Sequence, residues 1–130
     1  MKNWVLFTGG LMGLLSIIIG AAGKHVLGEN SSTEMMSTFT TGLDFHKLHA
    51  LVLVVLGISR WIITDKRSQR LTGWSAIFFI AGIFLFSFGM YFGVLTGNRS
   101  LFILNPFGGV SFMIGWSLIL FWGFKGRQGE

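Results

Sequence analysis

Three histidines, His25, His46 and His49, are the residues of this 130-residue chain whose type and spacing could do chemistry. Neutral imidazoles ligate transition metals, and three of them with an open position, or with Asp44 as a fourth donor, would make a small metal site. His46 and His49 are three apart, which on a helix places them on one face, one turn apart. His25 with either of them would offer two axial ligands to a haem, a weaker reading because a haem also needs a flat cavity between helices. In a third reading the imidazoles hydrogen-bond carbonyls and the Tyr91 hydroxyl, and so close one end of a bundle.

The elements that must position these side chains are apolar runs. Apolar residues make up 52 % of the chain and charged residues 12 %, with a mean hydropathy of +0.68. A soluble domain carries about twice that charge. Uncharged or nearly uncharged runs cover about 4–22, 44–64, 73–96 and 107–124, each close to the length needed to cross about 30 Å of hydrocarbon as a helix. The expectation is a single integral membrane domain over 1–130, an all-α four-helix transmembrane bundle. A cleaved signal peptide over the first run is the alternative, disfavoured because that run exceeds a typical signal core.

Charge orients the spans. With an even number of crossings, Lys2, Arg60, Lys66, Arg67, Arg70, Lys125 and Arg127 share one side, and Lys24, Lys47 and Arg99 the other. The positive-inside rule then predicts both termini in the cytoplasm and a multi-pass protein of the plasma membrane, with the histidines at the outer rim. Trp4, Trp61, Trp74 and Trp122 fall near the inner ends, as interface-seeking aromatics do. Asp44, Tyr91 and Asn98 lie at the depth of the histidines, and Ser87 is deeper. Although the pI is about 10.3, the basic residues sit at span ends and form no face for nucleic acid. The partners expected are the bilayer and another membrane protein or a second copy.

The loop 28–41 is rich in Ser and Thr. Ser31 followed by Glu34 suggests a capping box, opening a short interfacial helix that bends at Gly42. Small residues recur four apart, as Gly9 with Gly13, Ser16 with Gly20, and Gly89, Gly93 and Gly97. Spans in lipid associate through such close approaches. The third-span series offers either packing within the chain or a homodimer face. The absence of cysteine excludes disulfide and thiolate chemistry. Apart from Asp44 at the head of the second run, no span holds a carboxylate for proton coupling, and no nucleophile sits beside a base, so catalysis is not expected.

Four ordered blocks carry a family resemblance. Gly20-Ala21-Ala22-Gly23-Lys24-His25, Phe45-His46-Lys47-Leu48-His49-Ala50-Leu51, Leu85-Phe86-Ser87-Phe88-Gly89-Met90-Tyr91 with Thr96-Gly97, and Pro106-Phe107-Gly108-Gly109 with Gly115-Trp116 resemble the blocks of the small membrane proteins grouped as domain of unknown function 423. Lys24 stands where that pattern has alanine, Phe45 where it has tyrosine, and Phe88 where it has a small residue. The resemblance implies four membrane helices and no particular activity, and it singles out His25 and His49. The functional expectation is a small membrane protein acting through helix packing, or as an accessory subunit of a membrane complex. Metal or small-ligand binding at His25, His46 and His49 is the alternative.

Overall fold

A computed structural model describes residues 2–28 and 31–125. Arg127, used above to orient the chain, lies outside the described residues. Helix α1 (Trp4–Leu27) starts at Asn3, whose side-chain oxygen accepts the Leu6 N–H at 3.1 Å, the capping bond that an orphan helix-end amide requires. Helix α2 (Thr33–Ile62) is capped by Ser32, which accepts from the Met35 N–H. Helix α3 (Lys66–Thr96) is capped by Asp65, which accepts the Ser68 N–H at 2.8 Å, and it ends at Gly97, whose φ of +71° favours glycine. A 3₁₀ turn, Arg99–Leu104, leads into α4 (Asn105–Lys125), where Pro106 falls in the first turn and forfeits no helical bond.

Four helices are long and apolar enough to cross a membrane, and the described residues contain no strand. The bundle is two antiparallel hairpins, α1 on α2 and α3 on α4, joined by α2 lying against α3. The buried positions of α1 are Val5, Gly9, Met12, Ser16, Gly23 and Leu27, a stripe advancing by three, four or seven that faces α2. On α2 the corresponding stripe is Phe39, Gly42, Leu43, His46, His49, Ala50, Leu53, Leu56 and Gly57.

The segment before the second span forms no separate interfacial helix. It is the start of α2, a continuous helix of 30 residues, about 45 Å long, which exceeds the roughly 30 Å of a hydrocarbon core. The helix runs through Gly42 without interruption. A β-carbon there would stand 3.1 Å from Met90 Cβ and 3.3 Å from the Ser87 carbonyl, so this glycine is the contact through which α2 approaches α3. The cap is Ser32 rather than Ser31, whose hydroxyl turns back to the Leu27 carbonyl at the end of α1.

The opposite end is tied by side chains. Arg60 donates to the Gln69 carbonyl at 2.6 Å and to the Thr72 hydroxyl at 3.0 Å, while Gln69 donates to the carbonyls of Arg60 and Ile63. Arg60 therefore clamps the α2–α3 turn. Asn3 adds α1 to the same end by donating to the Gly57 carbonyl at 2.7 Å.

Within α3, Ile83–Phe88 is π-helical. A π turn holds more than 3.6 residues, so residues four apart stay nearly in line. Ile83, Ser87 and Tyr91 are all buried as a result, on the side that meets α2.

Candidate functional site

His49 lies fully inside the bundle, and the packing fixes its tautomer. The Trp116 indole N–H, which can only donate, points at His49 Nε2 at 3.0 Å. Nε2 therefore accepts, and the ring proton sits on Nδ1, which donates to the Phe45 carbonyl at 2.7 Å. The ring stacks on Phe112 with centroids 3.8 Å apart and planes 10° from parallel. Both nitrogens are satisfied and both faces covered. The residue ties α2 to α4.

His46 occupies the next turn toward the N-terminal end of α2. Its Nδ1 is 2.9 Å from the Tyr91 hydroxyl of α3, and the Phe88 ring meets the imidazole edge-on. A hydroxyl that donates to Nδ1 leaves the proton on Nε2. That nitrogen has no hydrogen-bond partner, and the Met12 backbone of α1 lies near the ring. His46 thus sits where α1, α2 and α3 converge. The Ser87 hydroxyl, in the π segment, is likewise buried without a partner.

His25 does not join them. It is exposed on α1, off the stripe that runs through Gly23 and Leu27. Asp44 and Lys47 are also exposed and pair with each other at 3.8 Å. Among the described residues no group of three or more His, Asp or Glu is placed to hold a metal ion. His49 Nε2, the atom a metal or haem iron would need, is occupied by Trp116. The geometry therefore brings together His46, His49 and Tyr91 of the expected residues, and separates His25 and Asp44 from them.

The glycines sort into two kinds. A β-carbon on Gly9 would lie 2.7 Å from the Val54 amide nitrogen, and one on Gly57 would lie 2.6 Å from the Leu6 backbone, so α1 and α2 touch backbone to backbone. Gly20 rests on Leu43, and Gly23 lies under the Phe39 ring. On the other hairpin the contacts are reciprocal: Phe79 of α3 covers Gly115 of α4, and Phe112 of α4 covers Gly82 of α3. Gly108 meets the Phe86 backbone. Gly89 and Gly93 are covered by Asn105 and by the Phe102 ring of the same chain, so the third-span series packs internally rather than presenting a dimer face. Gly97 ends α3. Gly10 and Gly13 on α1 face open space.

Sequence reasoning missed Trp116, Phe112 and Gly57. Trp116 stood within a quoted block but pointed to no partner, because a cross-helix bond leaves no local signature. The misplacement of His25 had a visible signal: its neighbours Gly23 and Leu27 continue the three-and-four spacing of Gly9, Met12, Ser16 and Gly20, and position 25 does not.

The model of the family described as protein of unknown function (DUF423) matches residues 19–109. That stretch includes all three histidines and Tyr91 but ends before Trp116. Among similar proteins, the UPF0382 inner membrane protein YgdD of Escherichia coli strain K12 is 31 % identical over 119 residues, covering 92 % of this chain and 88 % of its own. The UPF0382 membrane protein YwdK of Bacillus subtilis strain 168 is 32 % identical over 120 residues, covering 92 % and 94 %. A UPF0382 membrane protein of Staphylococcus epidermidis is 32 % identical over 120 residues, covering 92 % and 93 %. No solved structure matches the chain.

Proposed function

Because the chain belongs to the DUF423 family of small multi-pass membrane proteins, we propose that it works in the plasma membrane as an accessory subunit, N-in and C-in, docking a partner helix on the outer face of α1. The topology rests on the seven-to-three distribution of Lys and Arg set out above.

One observation carries the docking reading. Of the glycines in the first span, Gly9, Gly20 and Gly23 are covered by α2, whereas Gly10 and Gly13 are left open. Gly10, Gly13, Leu14 and Ile17 follow helical spacing on a single face, with Leu14 and Ile17 exposed. Open glycines flanked by apolar side chains let a second transmembrane helix approach closely. The His46 and His49 imidazoles, by contrast, sit inside the bundle as ties between its own helices.

The chain has no cysteine, so a single introduced thiol reports its own surroundings. With Gly13→Cys in native membranes, oxidation is expected to yield a discrete cross-linked species, either a dimer or a fixed heteromer. An equivalent thiol at Leu120, on the outer side of α4, is expected to yield none. Equal cross-linking at both positions, or none at either, overturns the docking reading.

A further inference from the structure

The end of the bundle where α1 begins and α2 finishes holds a recess of about 290 Å³, lined by Lys2, Asn3, Trp4, Arg60, Trp61 and Gln69. It shares no lining residue with the open α1 face around Gly13. Two cations line it and, among the described residues, no carboxylate does. Arg60 is held in place there, because its Nη1 donates to the Gln69 carbonyl and to the Thr72 hydroxyl. A guanidinium carries five N–H donors. The three on Nε and Nη2 have no acceptor among the described residues, and neither Arg60 nor Lys2 belongs to an ion pair of those residues. One edge of the guanidinium is thus fixed to α3, which leaves the other as a forked donor.

The helix ends around the recess favour an anion as well. Helix α1 starts here with a neutral cap, Asn3, and no acidic residue in its first turn, so its positive end is uncompensated. Helix α2 ends here, and its free carbonyls would repel an anion. They are occupied: Asn3 donates to the Gly57 carbonyl, and Gln69 to those of Arg60 and Ile63. Asp65 is the described carboxylate at this end of the bundle. It accepts the Ser68 N–H at 2.8 Å, feels the Arg67 charge and lines a different chamber, at the α2–α3 turn. Lys66 and Arg70, both exposed, add positive charge to the same end. The walls also set a depth, since Trp4 is 41 % and Trp61 65 % exposed. Exposed indoles of membrane helices settle at the level of the lipid headgroups, where phosphate lies. We propose that this recess binds the phosphate of an anionic phospholipid, held by Lys2, the open edge of the Arg60 guanidinium and the start of α1, beside the Trp4 and Trp61 indoles.

The probes are phosphatidylglycerol and phosphatidylcholine with identical acyl chains, which share a phosphate and differ in net charge. Purified protein is equilibrated with equal amounts of both, and retained lipid is counted by native mass spectrometry. The wild type is expected to retain phosphatidylglycerol with roughly tenfold preference. Lys2→Gln, at an exposed side chain with no ion pair to break, is expected to lower that preference about fivefold. Arg70→Gln, at the same end but outside the recess, is expected to change it by less than about twofold. Inorganic phosphate added in large excess is expected to leave the lipid bound. Equal retention of the two lipids by the wild type overturns the anion assignment without needing any variant. An undiminished preference in Lys2→Gln, or an equal drop in both variants, overturns the recess as the site, the second because diffuse surface charge would produce it. Displacement of phosphatidylglycerol by inorganic phosphate overturns the lipid and assigns the recess to a soluble anion.

Discussion

The Trp116 indole N–H meets His49 Nε2 at 3.0 Å, and this bond fixes both the protonation and the role of the histidine. With Nδ1 committed to the Phe45 carbonyl, the imidazole has no free atom to offer a ligand. Trp116→Phe keeps most of the ring volume and removes only the donor. It leaves a buried acceptor unpaired and is expected to lower stability by about 1–3 kcal/mol, read as a lower thermal midpoint in detergent.

His46 depends on Tyr91 in the same way, with a difference. One of its nitrogens is already without a partner, so Tyr91→Phe removes the remaining side-chain bond to the ring. A loss of about 1–3 kcal/mol is expected, and it should add to that of Trp116→Phe if the two ties act separately. A double mutant no less stable than either single variant would show that the two ties do not act independently.

The glycines supply an internal contrast. Gly82→Ala would place a β-carbon 2.3 Å from the Phe112 ring, and Gly115→Ala would place one 2.6 Å from the Phe79 ring. Each is expected to cost about 1–3 kcal/mol through forced repacking. Gly13→Ala meets nothing within 4 Å and is expected to raise stability, by about 0.5–1 kcal/mol, because alanine loses less backbone entropy in a helix. Thermal midpoints that fail to separate these two groups would contradict the interhelical contacts.

Much of the fold was legible in the sequence because lipid imposes it. A backbone in hydrocarbon must satisfy its own hydrogen bonds, so a long uncharged run has few choices. The rotation of each helix was harder to read. The spacing of His46 and His49 placed both on one face, but whether that face met protein or lipid depended on Trp116 and Tyr91, which are distant in sequence. His25 was placed by its depth alone, while the stripe Gly9, Met12, Ser16, Gly23 and Leu27 excluded it. The π segment at Ile83–Phe88 had no visible signal, since nothing in the order Ile-Phe-Leu-Phe-Ser-Phe announces an extra residue in the turn.

The α2–α3 turn carries a pH dependence. The Ser68 backbone N–H, followed by its hydroxyl, holds the Asp65 carboxyl below its ordinary value of 3.8. A carboxylate with a depressed folded-state value stabilises the fold above the unfolded value, and that contribution is lost as pH falls through the depressed value. The start of α3 is therefore expected to loosen only below about pH 4, seen as faster amide exchange at Ser68 and Gln69. Asp65→Asn is expected to remove that acid dependence while keeping the cap. Exchange that speeds up identically in both proteins would contradict the assignment.

The central claim is that the buried imidazoles are ties between helices rather than ligands. Its most direct test is ¹⁵N NMR of histidine-labelled protein at neutral pH, with and without added zinc. The account predicts that His49 is found with its proton on Nδ1 and an accepting Nε2, and that its signals stay in place when zinc is added. A His49 protonated on Nε2, or one whose Nε2 shifts on binding zinc, would contradict it.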